Sequence, residues 1–546
     1  MSLRDENAVC GDRSASAEQT SCTVKAPVFQ TGDAARGQIR GIGYNPPIMR
    51  QFDTAHDPPE AIHAALTARD HAKNAQIEAV VRGILDDVKA RGDAAVLDYT
   101  RRFDWPGATI EALSTDDSPD AFEPQWDALP GELRESIRSA DANIYDFHQA
   151  EKGHLQSWMN FSGPEFAPGP QGARALGQML QPVERAGIYI PGGKAVYPST
   201  ILMALRPADI AGVRQFVICT PSNDRGELSP LIEAVIYFLR GEGIGDCRVF
   251  RIGGAQAIAA MAFGTETVPK CDVIVGPGNQ YVNIAKKLVY GECAIDMLAG
   301  PSEVAVIADE FANPMLAAAD ILAQTEHGHD NRGVFFCHSW DVLEATKNEL
   351  SRQRAALSRK EILDATALNL IFVKTNSLEE SVALSNIMAP EHLELMVREP
   401  LAALPLVKNA GAVLLGEHTS ASVGDYWAGP SHTLPTAGAA RFSSPLSVNT
   451  FLKRTSVVYY SKKAAADAAE DVARFAEAEG FDGHAAAARL RGRLEPDTGS
   501  AGLFGESASG TEEEPPVASI ESRRDFPHLN SPALPVPGSD AAGGSR

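Results

Sequence analysis

Between about residues 185 and 417, short apolar runs rich in β-branched residues alternate with helical stretches. No other feature limits the fold of this chain as strongly. QFVICT (215–220), CRVFRIG (247–253) and CDVIVG (271–276) read as strands, and SPLIEAVIYFL (229–239), AQAIAAMAF (255–263) and QYVNIAKKLVY (280–290) as the helices that follow them. The pattern resumes with EVAVIAD (303–309), a helix over 313–326, RGVFFCHS (332–339) and a helix near 340–352. LNLIFVK (368–374), a further helix and GAVLLGE (411–417) complete it. Strands separated one by one by helices form parallel βαβ units, because a parallel neighbour needs a crossover long enough to return the chain to the same end of the sheet.

Two successive sets predict an α/β chain with two Rossmann-like open parallel-sheet domains, at 185–296 and 297–448, with helical N- and C-terminal extensions. The extensions are 41–184 and 449–494, of which 463–494 are Ala-rich and expected to be helical. In the first of them Ile77, Val80, Val81, Ile84, Leu85 and Val88 recur at helical spacing and predict a packing helix. Residues 1–40 are polar and aperiodic, and 495–546 collapse into Gly, Ser, Pro, Ala and acids (TEEEPP, LPVPGSDAAGGSR). Both are expected to be disordered.

Composition removes several function classes. Forty-nine basic against 71 acidic residues leave a net charge of −22, which opposes binding to nucleic acid or to an anionic membrane. No apolar run is long enough to span a bilayer, and the N-terminus lacks a secretory apolar core. Seven scattered cysteines without a C-x-x-C pair form neither a disulfide framework nor a cysteine zinc site, so a reducing cytoplasm is expected.

Ligands of open α/β sheets gather beyond the carboxyl ends of strands. IGGAQAI (252–258), with Gln256, and VGPGNQYV (275–282), with Asn279, are strand-to-helix loops whose glycines would let backbone approach a ligand. Neither fits G-x-G-x-x-G, and tight turns would need the same glycines. AGIYIPGGKAVYPST (186–200), with Tyr189, is one residue too long for a Walker loop, and its Lys194 is followed by Ala195, so ATP binding is not expected. Ser302 in AGPSEV is equally at home in a turn or against a substrate.

The histidines sit among acids and amides. AQTEHGHD offers Gln324 and His327, three apart on a helix; APEHLEL offers adjacent Glu391 and His392; VGDYWAGPSHTLPT offers Asp425 and His432; EGFDGH offers Glu479 and His484. A mixed set of Gln, His, Asp and His suits a borderline divalent cation, zinc first. No local zinc signature such as H-E-x-x-H is present, so spacing alone does not assemble such a site.

Taken together, ERAGIYIPGGKAVYPST, GGAQAIAAMAFGTE, VGPGNQYVNIAKK, AGPSEVAVIAD, DILAQTEHG, APEHLEL, GDYWAGPSHTLPT and ARFSSPLSV resemble histidinol dehydrogenase, in order, across roughly 41–494. The resemblance implies a zinc-dependent, NAD-linked four-electron oxidation of L-histidinol through L-histidinaldehyde to L-histidine, the last step of histidine biosynthesis. It implies one Zn2+ per subunit, two NAD+ consumed, and a homodimer with shared active sites. Gln324, His327, Asp425 and His484 are the implied zinc ligands, which also meet the substrate, with His484 coming from the partner subunit. Glu391 and His392 are the implied catalytic pair. Tyr189, Gln256 and Asn279 are the implied NAD contacts, in 185–296. Ser302, His432 and Glu479 join the substrate contacts, and 449–494 reaches the partner's site. A paralogous zinc/NAD dehydrogenase acting on another polar alcohol, such as a sulfonated diol, is the alternative.

Overall fold

The computed structural model describes residues 49–68, 74–115, 118, 120–162, 172–192 and 197–493. The expected arm (1–40) and tail (495–546) lie outside the described residues, as do Lys194 and Ala195. In chain order the strands are β1 (Arg50–Asp53), β2 (Trp158–Ser162), β3 (Arg174–Pro182), β4 (Arg185–Tyr189), β5 (Gln215–Thr220), β6 (Asp246–Arg251) and β7 (Val273–Val275). They continue with β8 (Ala294–Ile295), β9 (Glu303–Ala308), β10 (Arg332–Cys337), β11 (Leu370–Lys374), β12 (His392–Met396), β13 (Ala412–Leu415) and β14 (Leu452–Tyr460). The described residues fall into two compact units, one within Met1–Gln156 and Leu180–Thr455, the other within Ser157–Met179 and Ser456–Arg546.

The first unit holds two parallel sheets. One has the order β6-β5-β4-β7-β8 and the other β1-β11-β10-β9-β12-β13. Counted from β4 and from β9, both run third, second, first, fourth, fifth. That is the doubly wound order, in which the connections reverse direction between the first and fourth strands. The predicted fold class is therefore the observed one. β1 adds an outer edge to the second sheet that the sequence pattern does not announce.

Every residue of β9 and β10 is buried, as expected for strands covered on both faces. Val304, Val306, Phe335 and Phe372 pack with Ile321 and Leu322 of the Pro314–Thr325 helix on one face. Ala305, Ile307, Val334, Leu393 and Leu395 pack with Val382 and Met388 of the Leu378–Met388 helix on the other. Side chains alternate along a strand. With Leu393 and Leu395 committed to the second face, His392 and Glu394 share the face of the Pro314–Thr325 helix with Met396.

The predicted packing helix is two, Asn74–Arg91 and Asp93–Phe103, broken at Gly92, whose φ is +55°. Val81, Ile84, Leu85 and Val88 are buried, but Val80 is 50% exposed. Val80 sits on the flank of the stripe, where a step of about 100° per residue carries it off the packed face.

The second unit has the sheet β14-β3-β2, with β2 antiparallel to β3. Its helices Lys462–Ala478 and Asp482–Arg493 turn at Gly480, φ +81°, and meet through Ala473, Ala476 and Ala485. The Ala-rich helical expectation holds, while the small antiparallel sheet was not anticipated.

Candidate functional site

Asp425 is the centre of the site. It lies on the short Ala421–Tyr426 helix, which Ser420 caps by accepting from the backbone N–H of Val423. Its Oδ2 accepts from Gln324 Nε2 at 2.9 Å, and its Oδ1 lies 3.1 Å from His392 Nε2. Its backbone carbonyl accepts from His432 Nδ1 at 2.9 Å. That bond fixes the His432 tautomer and leaves Nε2 to accept from the Thr200 hydroxyl at 3.2 Å. Four of the residues singled out in the sequence are thus joined by hydrogen bonds through one carboxylate-bearing residue. Burial works against the charge on Asp425, but His392 leads the interactions that hold its pKa below the usual carboxylate value.

His392 begins β12, and Glu391 precedes it in a turn set by Ala389, a non-glycine residue at φ +51° followed by a proline. Proline disfavours a helical conformation in the residue before it, which helps end the Leu378–Met388 helix there. Glu391 Oε2 accepts from the backbone N–H of Glu303 at 2.8 Å and stands 3.7 Å from His392 Nδ1. That ring nitrogen is buried with no hydrogen-bond partner. Burial alone would discharge the imidazole, but Asp425 and Glu391 prevail and push its pKa up to about 10. The half-buried His432 goes the other way, its pKa lowered by desolvation.

Gln324, His327 and Asp425 line one cavity of about 190 Å³ with Tyr197, Glu326 and Arg359. His327 lies just past the helix, which ends at Thr325, and not on it as the three-residue spacing suggests. An imidazole, a carboxylate and a carboxamide whose Nε2 alone is spent on Asp425 are a fitting mixed donor set for a borderline divalent cation. Among the described residues no three His, Cys, Asp or Glu side chains are grouped so as to hold a metal ion by themselves. His484 and Glu479 are exposed and belong to the second unit.

Ser302 immediately precedes β9, and its N–H donates to Asn331 Oδ1 at 3.1 Å. Asn331 Nδ2 donates to the Gln324 carbonyl at 3.0 Å, tying the serine loop to the helix that carries Gln324. Asn331 and Glu303 were missed in the sequence, since neither lies in a motif that advertises chemistry. Ser302, Glu391 and His392 stand at the amino ends of β9 and β12, opposite to the end that the rule for open sheets selects.

The first sheet obeys that rule. Tyr189 ends β4 and Gly276 follows β7, at the point where the strand order reverses. Gly276 has φ +114°, and a Cβ there would strike the Tyr189 carbonyl. The Tyr189 hydroxyl accepts from the Gly254 N–H at 3.1 Å, and Asn279 caps the Gln280–Val289 helix by accepting from Tyr281 and Val282. Gln256 is 1% exposed and donates to Asp104 Oδ2, which also accepts from Gly253 N–H. The carboxylate of Asp104 therefore fills the anion position at the start of the Gly254–Phe263 helix. Gly276 is demanded by the Tyr189 carbonyl packed against it, its own N–H donating to Asp296 Oδ2 and its carbonyl accepting from Lys286, and the IGG loop does not fit a phosphate.

Comparison with known proteins agrees with the sequence motifs. The family model described as histidinol dehydrogenase matches residues 67–492. A histidinol dehydrogenase of Geobacter sulfurreducens is 42% identical over 446 residues, covering 81% of this chain and 100% of its own. One from Synechococcus sp. is 45% identical over 415 residues, covering 76% and 92%. The crystal structure of histidinol dehydrogenase from Elizabethkingia anophelis aligns with a TM-score of 0.73 at 34% identity, covering 81% of this chain and 98% of that one.

Proposed function

The chain belongs to the histidinol dehydrogenase family, and from that premise we propose that it oxidises L-histidinol through L-histidinaldehyde to L-histidine. Two NAD+ would supply the hydride acceptors, one for each oxidation, and a divalent ion, zinc first, would be held by Gln324, His327 and Asp425 with His484 of the partner subunit. The observation that carries this reading is that Asp425 joins the metal-donor cavity to the acid–base pair, bonding Gln324 on one oxygen and meeting His392 on the other. When bound, the ion would orient the substrate through its amino and imidazole nitrogens.

His392 accepts the hydroxyl proton as hydride leaves carbon. An imidazole flanked by two carboxylates and no cation is held protonated, the wrong state for a base. A divalent ion on Asp425 would compete for the carboxylate that retains the ring's proton, and His392, held between Asp425 and Glu391, is positioned to receive the hydroxyl proton. Glu391, fixed by the Glu303 N–H, is placed to activate the water that adds to the aldehyde. His392 then takes the proton of the hydrate in the second oxidation. Ser302, His432 and, from the partner, Glu479 complete the substrate pocket in this reading. Tyr189, Gln256 and Asn279 border the cofactor, with Gln256 acting from beneath the loop.

A homodimer is supported by the second unit, where Val472, Phe475, Phe481 and Leu490 are half or more exposed. Three alanines are its buried hydrophobic cluster, too small a core to stand uncovered. No described helix is long and apolar enough to cross a membrane. Five described cysteines are free and buried, in keeping with the cytoplasm. The test is NADH formation by the pure protein with L-histidinol and, separately, sulfopropanediol. We expect two NADH per histidinol, loss on chelation and return with zinc. Turnover of the sulfonated diol with none of histidinol overturns the reading.

A further inference from the structure

Beneath the bonds that join Gln324, Asp425 and His392 lies a second tier built from the same three elements. β12 sets Glu394 two residues after His392 on one face. The Pro314–Thr325 helix sets Asp320 one turn before Gln324, and the Ala421–Tyr426 helix sets the Ala421 N–H one turn before Asp425. Glu394 is fully buried and Asp320 is 8% exposed. Glu394 Oε1 accepts from Ala421 N–H at 3.1 Å. Its Oε2 is buried and meets no donor, and the carboxyl of Asp320 lies within side-chain hydrogen-bonding reach of the Glu394 carboxyl.

Two ionised carboxylates packed together away from water repel. One proton on Oε2 turns the contact into a hydrogen bond, gives the orphaned oxygen a partner and leaves a single negative charge. We propose that Asp320 and Glu394 are positioning residues that share one proton, and that their bond clamps β12 and the two helices so that Gln324, Asp425 and His392 stay in register. Desolvation raises both acids, Asp320 to about 6 and Glu394 well above the carboxylate range. The groups facing Glu394 are Asp320 from one helix, the Ala421 backbone from the other and His392 on its own strand. The consequence for catalysis rests on the metal and base roles proposed above; the shared proton does not.

Two measurements on the full-length protein test this. Infrared spectroscopy at neutral pH is expected to show the carbonyl band of a protonated carboxylic acid that is lost in Glu394→Gln. Glu394→Gln keeps both bonds, its amide oxygen accepting from Ala421 and its Nε2 donating to Asp320, and is expected to stay within about threefold of wild type in zinc affinity and kcat. Asp320→Ala removes the acceptor and is expected to lower zinc affinity or kcat by about 10- to 100-fold, with KM for NAD+ unchanged. If Asp320→Ala does not fold, the infrared band and Glu394→Gln decide. Absence of the band, or a Glu394→Gln loss of 10-fold or more, overturns the clamp. Wild-type behaviour of a folded Asp320→Ala does the same. A band present in a wild-type protein that fails to oxidise histidinol refutes the proposed function and leaves the shared proton standing.

Discussion

Asp425 shows why single histidines were hard to read. His392, His432 and Gln324 are separate in sequence and unremarkable one at a time, and only the fold brings them to one acid. A buried Glu two residues after a His, as in EHLEL, looks like ordinary alternation along a half-exposed strand, so Glu394 gave no signal. His392 offers two checks. Removing a general base costs about 100-fold or more in kcat, so His392→Asn is expected to lose at least that in steady-state turnover. In metal-free protein the pKa of His392 stands at about 10 against an ordinary 6.5. A base with a raised folded value adds stability fully below its free value and loses it as pH climbs through the folded one. The urea midpoint of chelator-treated protein should fall between neutral pH and 10, and His392→Asn should flatten that fall. Equal slopes in the two proteins would count against the ion pairing.

At the scale of elements, the strands with unbroken apolar runs were legible: β5, β9, β10 and β11 lie where the pattern puts them. β4 was hidden because its short run AGIYI carries a glycine and is followed at once in the sequence by Pro191 and Gly192. β12 was hidden because His392 and Glu394 interrupt its apolar run with ionisable side chains. The amino-end location of Ser302 and His392 could not be foreseen, because the rule for open sheets describes one sheet at a time. The loop after β7 makes its own prediction. Gly276→Ala adds a Cβ against the Tyr189 carbonyl at φ +114°, a strain of about 1–3 kcal/mol. Thermal unfolding should shift down and KM for NAD+ should rise, with zinc content unchanged. An unaltered KM would place the cofactor elsewhere.

For the whole molecule, the acidic balance, the absence of a spanning helix among the described residues and the two repeated sheets were all open to a sequence reader. Assembly was implied there only through the resemblance, because exposed Phe475 and Phe481 are by themselves only an unfinished surface. If His392 of one subunit works with His484 of the other, mixing unfolded His392→Asn and His484→Asn chains and refolding them restores activity. Random pairing makes half the dimers mixed, each with one intact site, so about a quarter of wild-type activity should return. No recovery from two folded dimers would place each site within a single chain.

Asp104 has a consequence for turnover. One catalytic centre must discharge a spent coenzyme and admit a fresh one while the half-oxidised aldehyde waits. A pyrophosphate clamped at a helix end would make that swap slow, and in this chain a resident carboxylate already sits at that end of the Gly254–Phe263 helix. In the proposed reaction that helix end would hold no phosphate, so exchange of the first dinucleotide for the second would have no anchor to break there.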